Sequence, residues 1–191
     1  MKLARVLSAS LLTAVIAAPL AWAASQSGGA AATTAAADQA TAAKLAYGLL
    51  SNSRYPYRPR ALDDALSVEV FDKYLESLDP SKLFFTAADV KGFEQWRVRF
   101  DDAIKAGDVQ PALAIFTLYR TRVEQRVAHA RSLLGQDIFT FEGNDRWEYD
   151  REDAPWAKDT AALDALWRQS VRNDWLRLKL AGKQPDEIRK T

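Results

Sequence analysis

The stretch DVQPALAIFTLYRTRVEQRVAHARSLLG, residues 108–135, decides the fold class. Ala112, Phe116, Tyr119, Val123, Val127, Ala130 and Leu134 stand 4, 3, 4, 4, 3 and 4 residues apart, the period of one helix face and not of a strand. Asp108 occupies an N-cap position, Pro111 falls in the first turn where its missing N–H is no loss, and Gly135 follows the last apolar residue. A helix over 109–134 would extend roughly 39 Å at 1.5 Å per residue.

Immediately upstream, only Gly107 and Asp108 separate this helix from a second one. That one opens at Thr86, which with Asp89 has the spacing of a capping box, and runs through Val90, Phe93, Trp96, Phe100 and Ile104 to a stop at Gly107. Gly92 in its interior costs about 1 kcal/mol, so packing must hold it. The short connection predicts an antiparallel helical hairpin. Further upstream, Leu62, Leu66, Val70, Tyr74 and Leu78 recur every four residues, with Phe71 and Leu75 widening the stripe and Asp79-Pro80 closing it. Downstream, Leu163, Trp167, Val171, Trp175 and Leu178 predict a helix over 160–181. Gln184-Pro185-Asp186-Glu187-Ile188 starts another after Gly182, and a helix begun so near Thr191 predicts that the natural polypeptide continues.

Residues 136–159 have no period but carry Ile138, Phe139, Phe141, Trp147, Tyr149 and Trp156, which predicts a strap pinned to a helical surface. With Trp167 and Trp175 added, the chain's end holds much apolar surface, and exposed patches are expected there. The fold class is therefore all-α, a bundle-like domain with a helical hairpin and a long aromatic-anchored loop.

The N-terminus reads differently. Lys2 and Arg5 precede an apolar run over 6–20, and Ala21-Trp22-Ala23 suits cleavage after Ala23, so residues 1–23 are expected to be a signal peptide that sends the protein to the periplasm. Residues 24–43 are Ala-rich with one charge, Asp38, and read as a flexible leader, although their alanines could extend a helix backward from Lys44. The helical domain is expected over 44–191, with the Pro56 and Pro59 segment as an extended strap.

Composition narrows the chemistry. The 26 Lys+Arg balance 25 Asp+Glu, which argues against a nucleic-acid partner, and no later segment is apolar enough to span a bilayer. Zero Cys and one His exclude disulfides, thiolate nucleophiles, Cys-ligated clusters and His-pair metal sites. Ser81-Lys82 is the one local pair suggesting Ser/Lys catalysis, but neighbours in sequence rarely share the needed hydrogen bond, so a turn is expected. His129 lies off the apolar stripe and is expected in solvent, as are Arg120, Arg122, Arg126 and Arg131. Asp145, Glu148, Asp150, Glu152 and Asp153 lack calcium-loop spacing and read as a solvated acidic loop. No residue is assigned a catalytic, cofactor-binding or metal-binding role.

Several motifs together resemble a known family. They are Leu62-Asp63 with Leu66-Ser67, the run from Val70 to Asp79, the segment from Phe139 to Trp156 with Gly143-Asn144-Asp145 and Ala154-Pro155-Trp156, Leu163 to Trp167, and Leu178 to Lys183. In order and spacing, from about Leu45 to Thr191, they resemble the N-terminal helical domain of bacterial tail-specific, or carboxy-terminal processing, proteases. The resemblance implies an exported serine endopeptidase with a Ser/Lys dyad, a PDZ module that reads apolar C-termini, envelope proteins as substrates and, in some members, a helical-repeat lipoprotein adaptor. It also implies that the PDZ and protease modules follow this region, so that the helical domain alone is inactive and acts as scaffold and docking surface. The alternative is a stand-alone secreted helical binding module without proteolytic activity.

Overall fold

The computed structural model describes residues 28–51, 60–136 and 139–190. Seven α-helices account for most of them: α1 Gly28–Ser51, α2 Asp64–Leu78, α3 Ala87–Phe93, α4 Phe100–Ala106, α5 Gln110–Leu134, α6 Thr160–Leu180 and α7 Pro185–Ile188. The one β feature among the described residues is an isolated parallel bridge between Thr86 and Ala157. The fold is all-α. The expected signal peptide and the Pro56–Pro59 strap lie outside the described residues. Helix α1 begins at Gly28 and so covers most of the stretch read as a flexible leader; alanine has the highest helix propensity, and the helix of Lys44 is extended through it. The chain divides into two units at Asp38 and Gln39, and everything below concerns the second.

Helix α2 starts where Asp63 accepts a hydrogen bond from the Leu66 amide at 3.0 Å and buries Ser67, Phe71 and Leu75. These meet Phe85, Phe93, Phe100 and Ile115 in the core, where Phe71 and Phe100 pack edge to face at 5.8 Å and Phe85 and Phe93 at 5.5 Å. Offset aromatic pairs of this kind add to the gain from burial alone.

The second predicted helix is not continuous. Its capping box forms, with Thr86 and Asp89 exchanging hydrogen bonds. The helix then ends at Phe93, tightens into a 3₁₀ turn at Glu94–Trp96, and restarts as α4 at Phe100. The physical reason is Ser67. Its buried hydroxyl donates to the Arg97 carbonyl at 3.0 Å and accepts from the Phe100 amide at 2.8 Å, satisfying backbone groups that a break leaves open. The close connection at Gly107 (φ +72) and Asp108 is present, but its first arm is only α4, which packs chiefly on α2. Asp108 bonds the Gln110 amide at 2.9 Å from one residue before the helix's own N-cap, Val109.

Helices α5 and α6 form the broadest pair. Asp164 of α6 reaches Arg126 and His129, while Trp167, one turn later, shares Phe84 with Tyr119, two turns earlier on α5. The two helices therefore run in opposite directions. Residues 139–159 form the expected strap: Phe139 packs on Trp175, Trp156 on Phe85, and the Ala87 amide donates to the Ala157 carbonyl at 2.8 Å.

Candidate functional site

The inward face of α5 differs from the predicted stripe. Its buried residues are Ile115, Arg126 and Leu133, whereas Phe116 and Val127 are 41% and 39% exposed. Ile115, Tyr119, Arg122, Arg126, His129 and Leu133 repeat at 4, 3, 4, 3 and 4, a more regular series than the apolar one, but one that includes three basic side chains, Arg122, Arg126 and His129. An apolar count passes over them. Arg122 and Arg126, expected in solvent, are instead the clasps of the domain.

Arg122 donates to both oxygens of Asp89 on α3, Nε at 3.0 Å and Nη2 at 2.6 Å, a bidentate pair that holds α5 on α3. Burial alone would raise the Asp89 carboxyl; the Arg122 guanidinium and the Thr86 amide and hydroxyl outweigh it and hold the group below its ordinary value. Arg126 is 5% exposed, pairs with Asp164 on α6, and leaves its Nε without a partner. His129 is not in open solvent either: its Nε2 lies 3.3 Å from the Asp164 carbonyl oxygen.

A second knot sits at the end of α2. The Asp79 carboxylate is buried and accepts the amides of Leu83 at 2.7 Å, Phe84 at 2.9 Å and Phe85 at 2.9 Å. It thereby shapes the loop that puts Phe85 into the core and leaves the Leu83 carbonyl to accept from Trp167 Nε1 at 2.6 Å. Sequence reading passed over Asp79 as a mere helix terminator. Ser81-Lys82 is the turn this knot makes, with Lys82 in the left-handed region at φ 54. Both residues serve the strap. The Ser81 carbonyl accepts from Arg151 Nε at 3.1 Å, and the Lys82 ammonium donates to the Glu152 carbonyl at 2.7 Å while lying 5.1 Å over the Trp156 ring.

The acidic loop does not converge. Asp145 pairs with Arg172, Tyr149 and Asn173 bond each other, and Glu148 and Asp150 are exposed. Among the described residues no three His, Asp or Glu side chains gather as metal ligands, and no helix is long and apolar enough to cross a membrane. What the arrangement offers is a packed helical body with large apolar side chains left outside: Leu45 and Leu49 on α1, Phe116 and Val127 on α5, Leu180 at the end of α6.

Residues 49–191 match the model of the tail-specific protease N-terminal domain family, which is three quarters of the chain. The chain belongs to that family. A curated relative, the tail-specific protease of Haemophilus influenzae, is 33% identical over 149 residues, covering 78% of this chain. The chain spans about a fifth of that protease's length, 21%. The tail-specific protease domain model opens at the end of α1 and takes in α2 to α7, so the Asp79 knot, both arginine clasps and the strap all lie within the family's domain.

Proposed function

We propose that this chain is the helical scaffold of an exported tail-specific serine protease that processes envelope proteins with apolar C-termini, and that PDZ and Ser/Lys modules of the same natural chain perform the hydrolysis. The observation that carries this reading is the family match across 49–191, set beside a relative about five times longer than the matched region. The described side chains fit a holding role: Lys82, beside Ser81 in sequence, directs its ammonium to the Glu152 carbonyl and the Trp156 ring. The exposed apolar residues of α1 and α5 suit contact with the protease's other modules or with a helical-repeat lipoprotein adaptor. Cleavage after Ala23 delivers the protein to the periplasm in this reading.

Exchange of the corresponding segment of the Haemophilus protease for residues 49–191 tests it. The chimera is expected to cleave a peptide with an apolar C-terminus and a deletion of the segment is not, while the purified chain alone shows no turnover above buffer. Inhibitor-sensitive cleavage by the isolated chain would overturn the reading, and a deletion that cleaves as well as the intact protease would remove the scaffold role.

A further inference from the structure

Residues 139–159 grip the helices in two different ways. The limb over 139–150 lies against α6 and is held through side chains. Phe139 tilts on Trp175 with ring centres 6.0 Å apart, and Lys179 stands 5.4 Å over Phe141. Arg172 pairs with Asp145 and reaches the Glu142 carbonyl at 3.5 Å, and the Tyr149 hydroxyl accepts from Asn173 Nδ2 at 2.8 Å. These polar contacts face water: the Asp145 side chain is 67% exposed and Tyr149 is 68% exposed. No side chain of this limb is buried, and among the described residues no backbone amide from 139 to 153 finds an acceptor. Two clefts remain beneath it, one of about 170 Å³ between Trp147 and Leu176 and one of about 460 Å³ beside Phe141 and Trp175. A core-like fit would leave no such space.

The limb over 151–157 is tied to backbone. Arg151 Nε donates to the Ser81 carbonyl at 3.1 Å, the Lys82 ammonium to the Glu152 carbonyl at 2.7 Å, and the Ala87 amide to the Ala157 carbonyl at 2.8 Å. Trp156 rests on the fully buried Phe85, within the loop that the Asp79 carboxylate holds. The two limbs meet where the Arg151 guanidinium lies 5.9 Å over the Trp147 ring.

We infer that the strap is a two-part latch: in the folded protein the limb over 139–150 leaves α6 and returns, while the limb over 151–157 stays seated. Exposed ion pairs and water-facing hydrogen bonds hold weakly, because water competes for the same groups. Ordering the backbone opposes docking at every residue of the limb. Segments with few buried contacts and a solvated backbone open at lower free energy than the core. Release uncovers the side of α6 that carries Trp175 and Leu176, and the seated limb keeps the released one close enough to return.

Trypsin digestion of the full chain reads the two limbs separately, because Arg146 lies in the first and Arg151 in the second. Each rate is referred to cleavage of a free peptide of residues 139–159. The expected result is a cut after Arg146 roughly tenfold or more slower than in the peptide, at a rate that urea below the unfolding transition leaves unchanged, with Arg151 intact until the helices unfold. Asp145→Ala and Tyr149→Ala, both at exposed positions, each speed the first cut roughly threefold and leave the second unchanged. Cuts after both arginines at the same fraction of the peptide rate, or after neither until the helices unfold, overturn the inference, since the strap then moves as one piece. A cut after Arg146 as fast as in the peptide also overturns it, because that limb then never docks. So does a rate after Arg146 that neither variant alters.

Discussion

Asp79 is an acid at the C-terminal end of α2, where the helix dipole disfavours negative charge. Its three backbone donors explain the exception. Asp79→Ala leaves three amides in or near the core without an acceptor and is expected to destabilise the domain by roughly 3 kcal/mol, measured by urea unfolding; a loss under about 1 kcal/mol would mean water replaces the carboxylate. Asp89 gives a pH-dependent counterpart. Its folded value lies below the ordinary 3.8, so the stabilisation from Arg122 and Thr86 is whole above about pH 4 and lost as pH falls through that lowered value. Asp89→Asn is therefore expected to cost about 1–2 kcal/mol at pH 6, and the difference from wild type should shrink below pH 3 in thermal unfolding followed across pH. A difference constant from pH 6 to 2.5 would show that the charge contributes nothing.

At the level of elements, the break between α3 and α4 and the start of α5 depend on two small residues. Ser67→Ala removes the hydroxyl that bridges the Arg97 carbonyl and the Phe100 amide, both without helical partners there; the expected cost is about 1–3 kcal/mol, with faster amide exchange at Phe100 than at Phe71. Unchanged exchange at Phe100 would leave the break without its proposed cause. Gly107 sits at φ +72 under α1, and an added Cβ would lie 2.6 Å from Lys44 Cε and 3.1 Å from the Ala40 carbonyl oxygen. Gly107→Ala thus meets both a left-handed backbone and the α1 main chain, and about 1–2 kcal/mol of destabilisation is expected by chemical denaturation. Gly92→Ala is the contrast: nothing lies within 4 Å, and better helix propensity should stabilise by about 0.5–1 kcal/mol.

Across the whole molecule, the strap does what a short loop does in simpler bundles, but from a distance. It leaves α5, crosses α6 through Phe139 and the Asp145–Arg172 pair, and returns to α3 at Ala157 before α6 begins. Trp156 anchors its far end on Phe85 and receives Lys82 on its face. Trp156→Ala is expected to cost about 3 kcal/mol and to expose residues 139–159 to limited proteolysis before the helices unfold. Simultaneous loss of strap and helices in the digest would show them to be one cooperative unit.

Much of this was legible in the residues themselves. Helix α6, the Thr86–Asp89 capping box and the pinned strap follow from spacing, side-chain capping chemistry and aromatic content, all of which act within a few residues of chain. What spacing left hidden was long-range. Whether Arg126 faces water or Asp164, 38 residues away, depends on which neighbour α5 meets, and no period along one helix carries that information. The same holds for Ser67, 30 residues from the Arg97 carbonyl to which it donates, and for the rotation that turned Phe116 outward in favour of Ile115. Local sequence placed α2, α5 and α6, because helix hydrogen bonds close over four residues; tertiary packing decided where the segment from α3 to α4 breaks and which face of α5 is buried, because an arginine can bury its apolar stem and pair its head only where the fold brings a carboxylate within reach.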